Sequence, residues 1–326
     1  MIQSKTLLVT GANSGLGLEA ARQLLLRNGT RVVLTARTSA KAGAAVETLR
    51  RATGASPDRM DVVLVDFTDP ASVDAAIEAL ARFRLDGVVL NAGGVARMDD
   101  GGRLAHTPQG LTTMYAMNVG GHAQLVEGLL DRGVFADGAS IVFAGSEASR
   151  GIPAMGATAP TLPELPGSLD DVIAAVARGE HATGKVDALT EYGLVKLIGT
   201  AWIRDLTERH GDSLRAYTVS PGASAGTAGP DGMPFPMNLV MKYLMFPAFQ
   251  LLGRAHGVRT GAARYLAGLD GEGLDNGAFY ASPYPHMSGR LVRQEATHQP
   301  LLDDTAFTAA VGRTVRTLNR GAAVPS

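Results

Sequence analysis

Tyr192 and Lys196 stand four residues apart in the stretch Tyr192-Gly193-Leu194-Val195-Lys196, within a helical pattern that continues through Trp202 and Leu206. Positions i and i+4 share one helix face, so a phenol and an ammonium there can address the same ligand. A free phenol, with a pKa near ~10, exchanges protons poorly at neutral pH. A unit charge about 4 Å away, at an effective dielectric of about 20, is worth roughly 4 kcal/mol, or about three pK units at most. The pair therefore suits proton transfer to or from a bound oxygen. Alone, Y-x-x-x-K is a common pattern on solvated helices, and its meaning depends on its company. Ser146 follows the apolar run Ser140–Ala144 and can donate to a carbonyl oxygen. Asn118 lies inside a helical stretch, where propensity disfavours it, and its amide is placed to hold a water next to Lys196.

A second set of residues has the chemistry of an anion cradle. Gly11-Ala12-Asn13-Ser14-Gly15-Leu16-Gly17 follows the first apolar run and opens a helix. Glycines there permit a tight turn and let the backbone approach a pyrophosphate at a helix N-terminus. Gly11, Asn13, Ser14, Gly15, Leu16 and Gly17 are the expected contacts. In dinucleotide sites a carboxylate for the ribose stands about 20 residues beyond this loop. Here Ala36-Arg37 takes its place, and no acid occurs between Glu19 and Glu47. A guanidinium binds a 2′-phosphate where a carboxylate would repel it, so NADP(H) is the expected cofactor. Thr38 and Ser39 are further hydroxyl donors, and the competing reading is that Arg37 is merely solvated. Asp66 is placed either to accept from an adenine amino group or to cap the helix starting near Pro70. Asn91-Ala92-Gly93 ends the fourth apolar run beside the cofactor.

These residues need a scaffold of alternating elements. Strands are expected at Thr6–Thr10, Arg31–Thr35, Val62–Asp66, Gly87–Leu90, Ser140–Ala144, Ala216–Ser220 and Gly277–Ala281. Helices are expected at Leu16–Arg27, Ala42–Ala52 and Val73–Ala81. Strand and helix alternating in this way indicate an α/β fold with a doubly wound parallel sheet. No repeat or Ser/Gly-rich linker divides the chain, so residues 1–326 read as one domain. Two stretches break the rhythm. Residues 151–188 are broken by Pro and Gly, with one helical pattern at Leu169–Ala177, and residues 222–257 are rich in Gly, Pro and Met. Both follow strand ends, where open α/β sheets bind ligands, and read as a lid and a substrate-binding loop.

Composition excludes several alternatives. The 326 residues carry a formal charge of −1 and no long basic run, which argues against nucleic acid. No cysteine is present, so disulfides and thiolate metal sites are ruled out, and a reducing compartment fits. The seven histidines are scattered without metal-ligand spacing, so no metal is expected. Residues Met1 to Lys5 lead straight into an apolar strand, leaving no room for a signal peptide, and no run reaches the ~18 apolar residues of a membrane span. A cytoplasmic protein is the expectation.

Taken together, the motifs resemble the short-chain dehydrogenase/reductase family, in the family's order, over about residues 5–225. The matching positions are Gly11/Gly15/Gly17, Asp66, Asn91-Ala92-Gly93, Asn118, Ser146, Tyr192/Lys196 and Ser220-Pro221-Gly222. The resemblance implies a seven-stranded Rossmann-like sheet and a nicotinamide-dependent oxidoreductase. It implies Tyr192 as acid/base, Lys196 binding the ribose and lowering the phenol's pKa, Ser146 orienting a carbonyl, and Asn118 completing a proton relay. Pro221 and Gly222 would lead the backbone past the nicotinamide. The insertion, Thr107-Pro108-Gln109-Gly110-Leu111 and Phe246-Pro247-Ala248-Phe249-Gln250 are similar to the retinol dehydrogenase and protochlorophyllide reductase branch. Three features depart from the family. Ser146 and Tyr192 are 46 positions apart, far more than usual; Gly226 holds the slot of a usual threonine, with Thr227 one place late; and no basic residue precedes Gly15. The pigment enzyme's cysteines are also missing.

The expected activity is hydride transfer between NADP(H) and a carbonyl or alcohol. Reduction of a conjugated C=C bond and a non-catalytic NADP(H) sensor are the alternatives. The apolar, Met-containing run Leu239–Leu252 suits the wall of a pocket for a bulky lipophilic small molecule. A core helix or a membrane-surface foot are its other readings. A homodimer is an open alternative to a monomer.

Overall fold

The computed structural model describes residues 5–96, 98–99, 101–225, 255–294 and 298–321. Each expected strand is present. They are β1 (Lys5–Val9), β2 (Thr30–Ala36), β3 (Met60–Leu64), β4 (Leu85–Leu90), β5 (Phe135–Ala144) and β6 (Leu214–Val219). After β6 come two short strands, β7 (Ser224–Ala225) and β8 (His256–Gly257), which pair with each other. Next are β9 (Phe279–Ala281) and β10 (Val292–Arg293). The main sheet runs β10-β9-β6-β5-β4-β1-β2-β3. Its seven expected strands are parallel, and the sheet reverses winding between β1 and β4. An eighth strand, β10, adds antiparallel at the edge; at two residues it is too short to leave a periodic signal.

Period-2 alternation divides the core. On β1, Leu8 faces one helical layer with Val33, Val88 and Ile141, while Leu7 and Val9 face the other with Val32, Val89 and Val142. The first two helices, α1 (Gly15–Leu25) and α2 (Ser39–Thr53), cover the second face. Thr38 caps α2, its Oγ1 accepting from Lys41 N at 3.3 Å, which starts that helix three residues earlier than the apolar pattern implied. On the first face lie α3 (Pro70–Leu80), the short α4 (Thr113–Tyr115) and α5 (Gly121–Asp131). A π-helical turn, Ala116–Gly120, joins α4 to α5 and contains Asn118.

Residues 151–188 are less separate than a lid would be. Their helix, α6 (Leu169–Arg178), starts at a capping box made by Ser168 and Asp171 and buries Ile173, Val176 and Ala177 in the main core. A C-terminal helix that sequence patterning did not reveal, α9 (Thr305–Asn319), packs on α6 and on α7 (Ala188–His210). Between α7 and α9, the buried Asp205 accepts from Arg209 Nε at 2.9 Å and from Arg316 Nη1 at 2.6 Å. On the opposite face, α8 (Val258–Asp270) lies against α1. The run Leu239–Leu252 and Gly226-Thr227 lie outside the described residues.

A tight joint in this framework lies beside Tyr192. A Cβ on Gly193 would sit 2.5 Å from the carbonyl oxygen of Ala148, closer than any side chain tolerates. This glycine lets α7 lie directly on the turn that follows β5. Gly193→Ala is expected to push the two apart, lowering stability by about 1–3 kcal/mol in denaturant titration, as overpacking does. Wild-type stability would show that the joint can relax.

Candidate active site

Strand β5 ends at Ala144, and Ser146 then caps a one-turn 3-10 helix, Glu147–Arg150, its Oγ accepting from Ala148 N at 3.2 Å. The close approach at Gly193 brings Tyr192 onto this turn, where Ser146 lies near enough to draw the phenol's pKa down. The 46 positions between these residues thus make no gap in space. The intervening chain supplies α6 to the core and returns along α7.

Lys196 is one turn further along α7 and only 2% exposed. Its Nζ donates to the carbonyl oxygen of Ala144 at 2.8 Å and lies 4.8 Å from the Phe143 ring centre and 5.5 Å from that of Tyr192. Among the described residues no carboxylate pairs with it. Burial lowers its pKa to about 7. Burial likewise raises the Tyr192 phenol above its ordinary value; Ser146 pulls it down and the charge of Glu147 pushes it up. The sequence-based expectation that Lys196 lowers the phenol's pKa is therefore not met in this state. The amine is turned onto a backbone carbonyl, and desolvation dominates both groups.

Asn118 also differs from expectation. Its amide nitrogen donates to Gly94 O and Met114 O, each at 2.9 Å, and its Oδ1 accepts from Gly94 N at 3.0 Å. Both amide hydrogens are committed to the backbone, so the side chain cannot donate to a water beside Lys196. It fixes the loop after β4 instead, and Gly93 passes so near that a Cβ would lie 2.4 Å from Asn118 Oδ1.

The glycine loop is wired to the same place. Thr10 Oγ1 accepts from Asn91 N at 2.8 Å and Ala92 N at 2.9 Å, while Asn91 Nδ2 donates to Thr10 O at 3.0 Å. Gly11 and Gly15 take φ values of 63° and 56°, and a Cβ on Gly17 would strike Gly11 O at 2.5 Å. Ser14 precedes α1 with no side-chain cap and no acid follows in the first turn, so the helix N-terminus stays open to an anion. Asn13 is half-buried in the loop, and Leu16 packs on the second core layer. Arg37 is exposed just past β2, without an ion pair among the described residues. Asp66 does not cap α3; Asp69 does, accepting from Ala71 N. Asp66 Oδ1 instead takes Thr68 N at 3.0 Å and Thr68 Oγ1 at 2.7 Å. Gly222, with φ 71°, follows Pro221 after β6, and its N–H donates to Ser220 Oγ at 3.1 Å. These features fit a dinucleotide: a cradle without room for side chains, an open helix end, and a buried amine with no carboxylate partner among the described residues.

Sequence reasoning missed His122 and Glu147. The His122 ring, fully buried, contacts Thr10 Oγ1 at 3.1 Å and Asn118 O at 3.3 Å. Burial, with the Lys196 charge, lowers its pKa to about 3, so it is a neutral bridge between the loop and the π-helical turn. Glu147, 4% exposed, accepts from Ser220 Oγ and from Ser282 N and Oγ, joining the ends of β5, β6 and β9. Its signal was a charge directly after a buried strand.

Comparison with known proteins agrees with this geometry. The sequence profile described as short chain dehydrogenase matches residues 5–158, from β1 past Ser146. The chain belongs to the short-chain dehydrogenase family. The chain is 30% identical over 250 residues to the short chain dehydrogenase resG of Aspergillus sclerotiorum, covering 71% of this chain and 65% of that one. It is 42% identical over 103 residues to retinol dehydrogenase 14 of Mus musculus, covering 28% and 30%. Other short-chain dehydrogenase relatives are matched over only 24% to 38% of their own length. The L-sorbose reductase of Gluconobacter frateurii, complexed with NADPH and L-sorbose, has the same fold, with a TM-score of 0.58 at 18% identity over 89% of this chain and 98% of that one. Within this family fold, no helix among the described residues is long and apolar enough to cross a membrane.

The lowered pKa of Lys196 has a thermodynamic consequence. Between about pH 7 and the ordinary lysine value, the unfolded chain holds a proton that the folded chain has released, so stability rises with pH there. Below about pH 7 the cost of burying the charge is fully present. Relative to Lys196→Met, which removes the group, wild type should gain stability between pH 6.5 and 9.5 in paired denaturant titrations. A constant difference would mean that the amine keeps its proton throughout.

Proposed function

We propose that this short-chain dehydrogenase moves a hydride between NADP(H) and a carbonyl or alcohol carbon. The reading is carried by the packing at Gly193 that brings Tyr192 beside Ser146, with Lys196 buried one helical turn away. Bound NADP(H) supplies or accepts the hydride. Ser146 and Tyr192 donate hydrogen bonds to the substrate oxygen, where negative charge grows as hydride arrives, and Tyr192 delivers the proton. A phenol held above its ordinary value is protonated at neutral pH and ready to act as an acid. Lys196, exchanging the Ala144 carbonyl for ribose hydroxyls, would gain acceptors and bring its charge to bear on the phenol. Arg37 would hold the 2′-phosphate, and the open end of α1 the pyrophosphate. We read the chain as one domain, with the exposed part of residues 151–168 bordering the substrate site. The apolar composition of Leu239–Leu252 supports a bulky substrate.

Tyr192→Phe should lower turnover at least about a hundredfold, the range of general acid catalysis, with NADPH affinity nearly unchanged. Retention of more than about a tenth of the rate would remove Tyr192 as the acid. Arg37→Ala should weaken NADPH binding about tenfold in calorimetric titration while NADH binding holds within about twofold. Equal binding of both cofactors by wild type would assign Arg37 to solvent.

A further inference from the structure

The turn that begins at Ser146 ends at Arg150, a guanidinium only 1% exposed. Its Nη2 donates to Ser282 O at 3.0 Å and His286 O at 2.9 Å, but its Nε and Nη1 are buried with no hydrogen-bond partner among the described residues. Such orphaned charged donors are costly unless something completes them.

Nearby charges do not complete them. Glu147 spends its oxygens on Ser220 and Ser282, and its nearest cation is Arg264, with Nη1 3.8 Å from Oε1. Arg264, 5% exposed, also donates to Ser220 O, Ser282 Oγ and Gly289 O. His256, beside Arg264, is held below its ordinary value by burial and by that charge, so it adds no charge at neutral pH. Among the described residues, then, two guanidiniums converge here on one carboxylate. One positive charge is left over, and Arg150 is the arginine without an ion pair.

Arg150 also lines a cavity of about 330 Å³, together with Gly151, Thr158, Tyr284 and His298. That volume is at the small end for ligand pockets. The guanidinium carbon lies 5.3 Å from the centre of the Tyr284 ring, and the rings of Tyr284 and His298 stack at 4.0 Å with 14° between their planes. The cavity therefore sets a flat aromatic wall beside a guanidinium that has no ion pair among the described residues, on the turn that starts at Ser146.

We propose that this cavity seats a carboxylate carried by the substrate, paired with the charge of the Arg150 guanidinium, with a planar part of the substrate against Tyr284 and His298. The proposal rests on the carbonyl-reductase reading of the Ser146–Tyr192 site. It adds that the substrate is a keto acid or aldehydo acid whose anionic group is remote from the reacting carbon. No bond is made or broken in the cavity; charge pairing there orients the carbonyl.

The test uses aryl methyl ketones of increasing length, each as carboxylate and as carboxamide: 3-acetylbenzoate, 4-acetylbenzoate and 4′-acetylbiphenyl-4-carboxylate. Binding to the full chain with NADPH is measured by calorimetry, and turnover by NADPH oxidation. At least one carboxylate should bind wild type tenfold or more tightly than its amide. That ratio should fall to within threefold in Arg150→Met. Thr158→Trp, at an exposed lining position, narrows the cavity without touching the buried cluster and should also reduce the ratio, which guards against a folding defect in the first variant. If amides are reduced and no carboxylate is preferred in binding or kcat/KM, the cavity proposal is overturned and the carbonyl reading stands. If carboxylates bind with the expected ratio yet no ketone is reduced, the anion site stands and the carbonyl reading fails.

Discussion

A buried amine with no carboxylate beside it among the described residues organises this protein. Lys196 can sit at 2% exposure only because Ala144, the last residue of β5, offers its carbonyl oxygen at 2.8 Å. That contact requires α7 to lie almost on the end of β5, and Gly193 makes the approach possible. The same approach carries Tyr192 to Ser146. One packing constraint, a helix pressed on a strand end, thereby sets the positions of the phenol, the hydroxyl and the amine together. Desolvation brings the amine's pKa down to about 7 and keeps the phenol protonated at neutral pH. Arrival of polar acceptors near Lys196 would raise its pKa and place a charge beside the phenol.

The rest of the site is tied to that constraint through backbone-directed hydrogen bonds. Thr10, Asn91, His122 and Asn118 form a buried chain linking the glycine loop, the end of β4 and the π-helical turn. Glu147 does the same for the ends of β5, β6 and β9. Polar residues that would be expensive in an apolar core are fully used here, which rigidifies loops that would otherwise be independent. Arg150 stands apart from these, its Nε and Nη1 having no hydrogen-bond partner among the described residues.

Much of this was legible in the sequence because its signals are local. Alternating apolar runs located seven strands to within about two residues, except that β5 begins five residues earlier, at Phe135; the turn glycines, Tyr192/Lys196 and Ser146 are found by type and spacing. What was not legible depends on long-range contacts. The amide of Asn118 was assigned to a water because nothing in its neighbourhood reveals that Gly94 would take both sides of it. Lys196 was expected to lower the phenol's pKa because sequence does not report desolvation. Helix α6 was read as part of a lid because its partner α9 lies more than a hundred residues further along the chain. Asp66 had two local readings, and the neighbouring Asp69 took the capping role.

The most direct test of the central claim is the titration of Lys196 itself, followed by NMR of its side-chain resonance in the protein without cofactor and again with NADP(H) bound. Burial against the Ala144 carbonyl predicts a midpoint near 7 in the free protein, and a clear rise when cofactor supplies further acceptors. A midpoint near the ordinary lysine value in the free protein, unchanged by cofactor, would contradict it.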